Sequence, residues 1–487
     1  MKKTLISVIT SVALVTSLIG CKKDTKPVDV KPGGPVTLRL VMKDEGNSNP
    51  VAVNYFKALE KGLKEDEGLD VKIELVDMPE GNYAEKLNLM ILGGTIPDII
   101  YFQGGDQQIS QQGLLEDLKP YIEKSKNLKS SMFAHNTERI NNYPYLLWVK
   151  PLSQKAPVIR QDWFDKMKTS KALAENPTIE NYYNFLKELK DNPPGGAGKP
   201  AYGITVAGSI LEIDNIFDMA FGNTSTWLKD GSGKYVYSKI TSNEKEKLEF
   251  YSKLYKEGIL DPQFATKKWD TKEKAFFSGE AGVISGTAGK VIDIYEGKMK
   301  KADEGSKGLV VLPPAKGKGQ GLGATDVTKE TRGVAIYSKS QNKETAFKVL
   351  DYLASPKGQM LDRLGFENEH YKVVDGKIEL TDKSQEWYAR FWEPSEFKPS
   401  TPLKSSLLGA PGEKSLKMTE EYYAKDINIL IPEQFTAKWD AMQNLYKEYS
   451  ADIITGKKPI SSFDDFVKEW NKAGGEEITK YANENIK

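Results

Sequence analysis

Cysteine is nearly absent: the chain of 487 residues has one, Cys21, and histidine is almost as scarce, with only His135 and His370. A single cysteine excludes an internal disulfide framework and any CxxC redox or zinc centre. Two histidines leave a Ser-His-Asp site or a multi-histidine metal site with little to work with. Neither a P-loop nor an HExxH motif occurs. A charge bias is missing too, with 69 Lys and Arg against 68 Asp and Glu, so nothing in the balance points to nucleic acid. Paired carboxylates stay possible among 68 acids, as a glycosidase would need, but each acid taken singly reads as a solvated surface charge.

What is present starts at the N-terminus. Lys2 and Lys3 precede an apolar, Ser- and Thr-containing stretch from Leu5 to Leu18, with no charge until Lys22. That is the pattern of a secretory signal over residues 1–20, too short for a comfortable membrane span. Ser17-Leu18-Ile19-Gly20-Cys21 resembles a bacterial lipobox, in which the cysteine becomes the lipid-modified (palmitate-type) N-terminus. Residues 21–35, rich in Lys, Asp, Pro and Gly, cannot bury a core and read as a tether.

The remaining chain is longer than one hydrophobic core usually serves, so two or more domains are expected. Leu38, Leu40 and Met42 alternate as a strand, and Phe56, Leu59 and Leu63 follow at helical spacing. Val71, Ile73 and Leu75 form a second strand, then Tyr83, Leu87, Met90 and Ile91 a second helix stopped by Gly93-Gly94. Pro97-Asp98-Ile99-Ile100-Tyr101-Phe102-Gln103-Gly104-Gly105-Asp106 completes a βαβαβ unit, which implies an α/β, largely parallel sheet. Ligands of such sheets bind beyond the carboxyl ends of the strands, which marks Gln103 and Asp106.

Further strands are expected over Tyr143–Val149, from Ala156 toward Trp163, and at Ala281–Thr287, Leu309–Leu312 and Val334–Ile336. Amphipathic helices are expected around Tyr182–Leu189, Glu244–Gly258 and Lys343–Leu353. Near the end Ser461 reads as a helix cap, with Phe463, Phe466, Val467 and Trp470 on one face and Gly474-Gly475 as the stop. Trp148, Trp163, Trp227, Trp269, Trp387 and Trp392 lie near expected loops, where an indole face suits a sugar ring; Trp439 and Trp470 read as core.

In order and spacing, Pro97-Asp98-Ile99-Ile100, Gly113-Leu114-Leu115, Tyr143-Pro144, Ile159-Arg160-Gln161-Asp162-Trp163, the glycine turn after Ile284, Val311-Leu312-Pro313 and Ser355-Pro356-Lys357-Gly358 resemble the extracellular solute-binding proteins of bacterial ABC transporters. The resemblance is to the maltose-binding-protein-like family 1, and within it to the long lipoproteins of Gram-positive bacteria. It implies a two-lobed (type II) periplasmic-binding-protein fold, each lobe a mostly parallel sheet flanked by helices, with a ligand cleft between them. The implied division is 36–150 and 313–358 for the N-terminal lobe, 151–312 and 359–487 for the C-terminal lobe.

Position by position, the resemblance puts Asp106 on a carbohydrate-hydroxyl acceptor, Arg160 where a sugar-contacting tyrosine stands, and Trp227 on a stacking tryptophan. It puts Asn47 and Asn49 in the first cleft loop, Ser285 and Thr287 in a later one, and Trp387, Tyr388, Arg390 and Trp392 in a late cleft segment. Arg160 favours an acidic sugar. Trp148 and Trp163 complete the expected site. The loop Asp191–Lys199 stands where long relatives carry calcium, but it offers one carboxylate, so no metal is expected there, and no cofactor anywhere.

The implied function is non-enzymatic: a monomeric receptor, anchored to the membrane through Cys21 on its outer face, that hands a carbohydrate, an oligosaccharide either neutral or acidic, to ABC permease subunits by hinge closure. A peptide or other non-sugar solute is the alternative within the binding class, and a secreted polysaccharide-degrading enzyme the alternative outside it.

Overall fold

The computed structural model describes residues 34–79, 81–196, 198–326 and 331–486. The signal, Cys21 and the tether up to residue 33 lie outside the described residues. Among those described, no helix is long and apolar enough to cross a membrane.

Local chemistry sets the first elements. Asn49 Oδ1 accepts the backbone N–H groups of Val51 and Ala52, and Pro50 supplies a preset φ, so a helix starts at Pro50. It ends at Glu67 because Gly68 takes φ 65°. Its stripe of Phe56, Leu59 and Leu63 is buried.

The described residues form twelve strands: β1 (Val36–Val41), β2 (Val71–Leu75), β3 (Ile99–Gln103), β4 (Lys155–Arg160), β5 (Tyr202–Thr205), β6 (Trp227–Lys229), β7 (Tyr235–Tyr237), β8 (Ala281–Thr287), β9 (Leu309–Val311), β10 (Arg332–Ile336), β11 (Tyr371–Val374) and β12 (Lys377–Leu380). Two four-stranded sheets dominate, ordered β10-β3-β1-β2 and β5-β8-β4-β9. In the first, β1 is parallel to β2 and β3, and β10 opposes β3. In the second, β5 is parallel to β8 while β4 opposes both β8 and β9. Each sheet therefore has three strands in one direction and one against them.

The opposed strands are those the chain enters on leaving the other sheet. The chain passes from the first core, at Val149, to the second through 150–154 and enters β4; after β9, with Leu312, Ala315 and Leu322 still packed in the second sheet's cores, it returns to the first sheet and enters β10 at Arg332. A strand entered from the crossing begins where its oppositely directed neighbours end. Register agrees: Arg332 lies across from Gln103, and Lys155 across from Thr287. The carboxyl ends of β3 and β8 thus face the crossing.

One apolar core surrounds the first sheet and two clusters flank the second. Trp387, Phe391 and Trp392, expected in the C-terminal lobe, pack in the first core instead. The cause is Asp362, whose carboxylate accepts the backbone N–H groups of Arg390, Phe391 and Trp392 and the Tyr55 hydroxyl.

Three local expectations change. Tyr143–Val149 is no strand, only a single bridge from Leu147 to Val334, because Pro144 opens a turn. Ser461 lies inside a 3-10 turn, Ile460–Ser462, instead of capping the helix. Gly474-Gly475 does not stop the final helix: Gly474 at φ 130° kinks it, Gly475 lies against the Trp470 ring, and helix resumes over Glu476–Asn485.

The second core holds a buried charge cluster. Lys247, fully buried, lies 2.7 Å from Asp214 and 3.1 Å from Glu244 and also meets Asp218; Lys239 meets the same three carboxylates. Burial alone would lower the Lys247 pKa, but Asp214, Asp218 and Glu244 outweigh it and raise it, so the amine stays charged. Lys247→Met leaves three carboxylates facing one ammonium. We expect a loss of about 3–5 kcal/mol in urea unfolding; a loss under about 1 kcal/mol would show that the cluster is not neutralised through Lys247.

Candidate functional site

The carboxyl end of the first sheet is aromatic. Gln103 Nε2 donates to the Tyr101 hydroxyl at 3.2 Å, and the Tyr101 ring lies 5.6 Å from half-buried Trp148. Tyr83 donates to the Tyr101 carbonyl at 2.7 Å. Beyond β3, Gly104 and Gly105 take φ 98° and 79°, turns that a side chain would strain, and lead into Asp106. Lys150 lies 5.0 Å over the Trp148 ring and pairs with Glu393 at 2.8 Å. With Lys150, Arg363 and Lys290 outweighing its desolvation, the Glu393 carboxyl is pulled down to about 2.

Across the crossing, the matching end of the second sheet carries a lysine pair and an open indole. Glu212, 3% exposed, pairs with Lys272 at 2.8 Å and with Lys155, the first residue of β4. Both ammonium groups also lie over Trp269, at 4.6 Å for Lys155 and 3.5 Å for Lys272. Trp269 opens the helix Trp269–Phe277, donates to Glu273 at 2.6 Å, and is 41% exposed. Desolvation lowers the Lys272 pKa to about 8 despite Glu212. Three segments meet between these ends at Gln154, whose carbonyl accepts Ala288 N–H at 2.9 Å and whose side chain donates to Thr325.

The expected site residues divide into three groups. Gln103, Trp148 and Thr287 stand at the crossing-side ends, and Asn47 is exposed on the loop after β1, held to Asp77 through its backbone and side-chain N–H groups. Other residues at these ends serve the protein. Asn49 caps a helix, Asp106 is buried and accepts the Tyr143 hydroxyl at 2.8 Å, and Ser285 is buried, with its carbonyl accepting from Lys272. Arg390 is buried 3.0 Å from Glu45, beneath Tyr388, whose exposed ring is the part of that segment that meets solvent.

The third group lies elsewhere. Trp227 is fully buried against Tyr237, and Trp392 is core, donating to the Leu350 carbonyl; neither offers a ring face to a solute. Arg160 ends β4 at the opposite edge from Lys155, ~17 Å away for a six-residue strand. There it forms a two-point pair with Asp162, meets Asp303 at 2.7 Å and stacks on Trp163. Arg160 and Trp163 line a cavity of about 850 Å³ with Lys166, Lys199 and Asp303, which Asp270 and Glu273 of the helix that Trp269 opens also line.

The loop after the helix Ile179–Asp191 does not suit calcium. Its single carboxylate, Asp191, is held by Lys187 at 2.6 Å and Lys190 at 3.3 Å, and the Pro194 carbonyl accepts Lys166. Among the described residues no cluster of three or more His, Cys, Asp or Glu could hold a metal ion. The histidines are engaged with backbone: His135 Nε2 with the Lys150 carbonyl, His370 Nδ1 with the Phe366 N–H, and burial lowers the pKa of both.

Sequence reasoning missed Lys155, Glu212 and Lys272, and noticed Trp269 only as one tryptophan among six. The position of Lys155 directly after a crossing was a usable signal. Glu212 and Lys272, 60 residues apart, gave none.

Residues 49–360 match the family described as bacterial extracellular solute-binding protein. The lipoprotein LipO of Bacillus subtilis is 24% identical over 454 residues, 87% of each chain. The polygalacturonan/rhamnogalacturonan-binding protein YtcQ of the same organism is 21% identical, with 88% of each chain covered. The calcium-free structure of the alginate-binding protein AlgQ2 superposes with a TM-score of 0.66 at 18% identity, covering 93% of this chain and 98% of that one. With the family match spanning well over half its length and the two-sheet α/β fold shared with such proteins, the chain belongs to the bacterial extracellular solute-binding proteins.

Proposed function

We propose that this protein is the carbohydrate receptor of an ABC importer, tethered through Cys21 to the outer face of the cytoplasmic membrane, and that it delivers an oligosaccharide unaltered to permease subunits. The observation that carries this reading is the pair of indoles, half-buried Trp148 and exposed Trp269, at the carboxyl ends of two sheets on either side of one crossing, with Lys150 over the first ring and Lys155 and Lys272 over the second. Flat apolar faces edged by hydrogen-bond donors suit pyranose rings. Polygalacturonan/rhamnogalacturonan and alginate in the names of two similar proteins support the same class of solute.

The work asked of the protein is mechanical. One body comprises the core around β1–β3 and β10, including Trp387–Trp392; the other comprises the cores around β4, β5, β8 and β9. They pivot about the segments that pass between them, 150–154 among these, where Gln154 is bonded to Ala288 and Thr325. A solute that touches Trp148, Gln103 and Asn47 on one side and Trp269 and Thr287 on the other stabilises the closed form by its extra contacts there. Nothing in this needs a nucleophile or a proton relay, and a monomer suffices.

A thermal-shift panel of oligosaccharides and peptides tests the solute class. At least one oligosaccharide is expected to raise the melting temperature and shrink the radius of gyration in solution scattering, with Trp148→Ala weakening it by about tenfold or more. A rise confined to peptides would refute the carbohydrate assignment. Anchoring is separate: Cys21→Ser is expected to move the protein from the membrane fraction to the medium, and unchanged retention would refute the lipid anchor.

A further inference from the structure

The lysine pair at Trp269 holds more positive charge than its neighbours cancel. Lys155 and Lys272 share the one carboxylate of Glu212, and Glu273 is matched by Lys298 at 3.3 Å. Three ammonium groups, Lys155, Lys272 and Lys298, thus face two carboxylates, Glu212 and Glu273, which leaves one unit of positive charge in the cluster, and the Lys155 side chain is 33% exposed.

The same geometry leaves one indole face open. Both ammonium groups bind Glu212 Oε1, so they are too close together to sit across the ring from each other at 4.6 and 3.5 Å from its centre. They crowd one side of Trp269, and the residue remains 41% exposed.

We propose that the open face of Trp269 and the Lys155–Lys272 pair form a subsite for a sugar ring bearing a carboxylate, a uronate. This rests on the chain being a carbohydrate receptor and adds the class of sugar. The ring stacks on the indole while its carboxylate takes the surplus charge, chiefly through Lys155. A neutral sugar would leave that charge uncompensated as closure removes water, so the subsite discriminates by charge as well as by shape. The structure moves the expected preference for acid away from Arg160, whose guanidinium is already occupied by Asp162 and Asp303 at the far edge.

Proton linkage supports the assignment. The charged and titratable groups around Lys272 are Glu212, Lys155 and Glu273, with Tyr295 of the helix Lys290–Ala302 facing the same two carboxylates. Burial holds the Lys272 pKa near 8, and an added carboxylate favours its charged form. Uronate affinity is therefore full below about pH 8 and declines as pH rises above it, with a proton taken up on binding near pH 8.

Fluorescence titration of the full chain decides this with trigalacturonate, trimannuronate, fully methyl-esterified trigalacturonate and neutral oligosaccharides. At least one free acid is expected to bind about tenfold or more tighter than the ester. Lys155→Gln should remove most of that preference, and Trp269→Ala should weaken the acid; both side chains reach solvent, so folding is retained, and Lys272→Met serves only as a second probe. Ester or neutral sugar bound as tightly as either acid, with Lys155→Gln indifferent, overturns the uronate subsite and leaves the carbohydrate receptor standing. If no oligosaccharide of any kind binds, both fall.

Discussion

Everything at the site depends on two antiparallel pairings, β4 with β8 and β10 with β3. Once the chain must leave one core and enter another, the incoming strand starts at the shared boundary, and the strands it opposes end there. That brings the carboxyl ends of both sheets to one place without any special sequence at those ends. Parallel strands shed their loops at the carboxyl end, so both sheets present solvent-reaching chain to the same region. Gln103 and Arg332 are neighbours for this reason, and so are Lys155 and Thr287.

Keeping those ends in place falls to buried polar groups. Asp362 gathers three successive backbone N–H groups and a tyrosine hydroxyl, which fixes 390–392 onto the first core and sets Tyr388 at its edge. In the second core, Glu212 orients two lysines at once. A carboxylate so buried is tolerable only when paired, and an ammonium as buried as Lys272 only with that carboxylate beside it. Removing either would strand the other, so the cluster is rigid in a way that a surface pair is not.

The fold was largely legible because its signals are local. The alternation in β1 and β2, the apolar run of β3 and the helix Pro50–Glu67 with its cap and closing glycine are all written within a few residues. The resemblance in motif order added the two-lobed plan. Side-chain direction was the part that could not be read. Trp227, Trp392 and Arg160 were assigned by position along the chain, and position does not say whether an indole faces a core or a cleft; the register of β4 decides Arg160, and packing against Tyr237 decides Trp227. The late segment around Trp387 was assigned to the wrong core because its tie, Asp362, reaches forward through backbone N–H groups that any sequence supplies. Gly474 misled for the opposite reason: glycine permits a helix to kink as well as to stop.

Part of the linkage between the two bodies is polar, and that bears on function; the Lys290 ammonium, for one, donates to the Ser384 carbonyl at 2.9 Å. Contacts that join segments of different cores include Lys425–Glu138 at 3.0 Å and Lys301–Glu386 at 2.9 Å, all four side chains about half exposed or more. Exposed pairs of this kind contribute roughly 0–1 kcal/mol and are screened by salt. Each core, by contrast, is apolar and close-packed and resists deformation. Two stiff bodies joined in part by such pairs resist a change of orientation less than either core resists deformation. A guest whose contacts differ between two orientations by a few kcal/mol can then set the population, whereas a guest held by one body alone could bind tightly and move nothing. In the reading proposed above, a solute that touches both Trp148 and Trp269 across the crossing has such differential contacts, and one held by either indole alone does not.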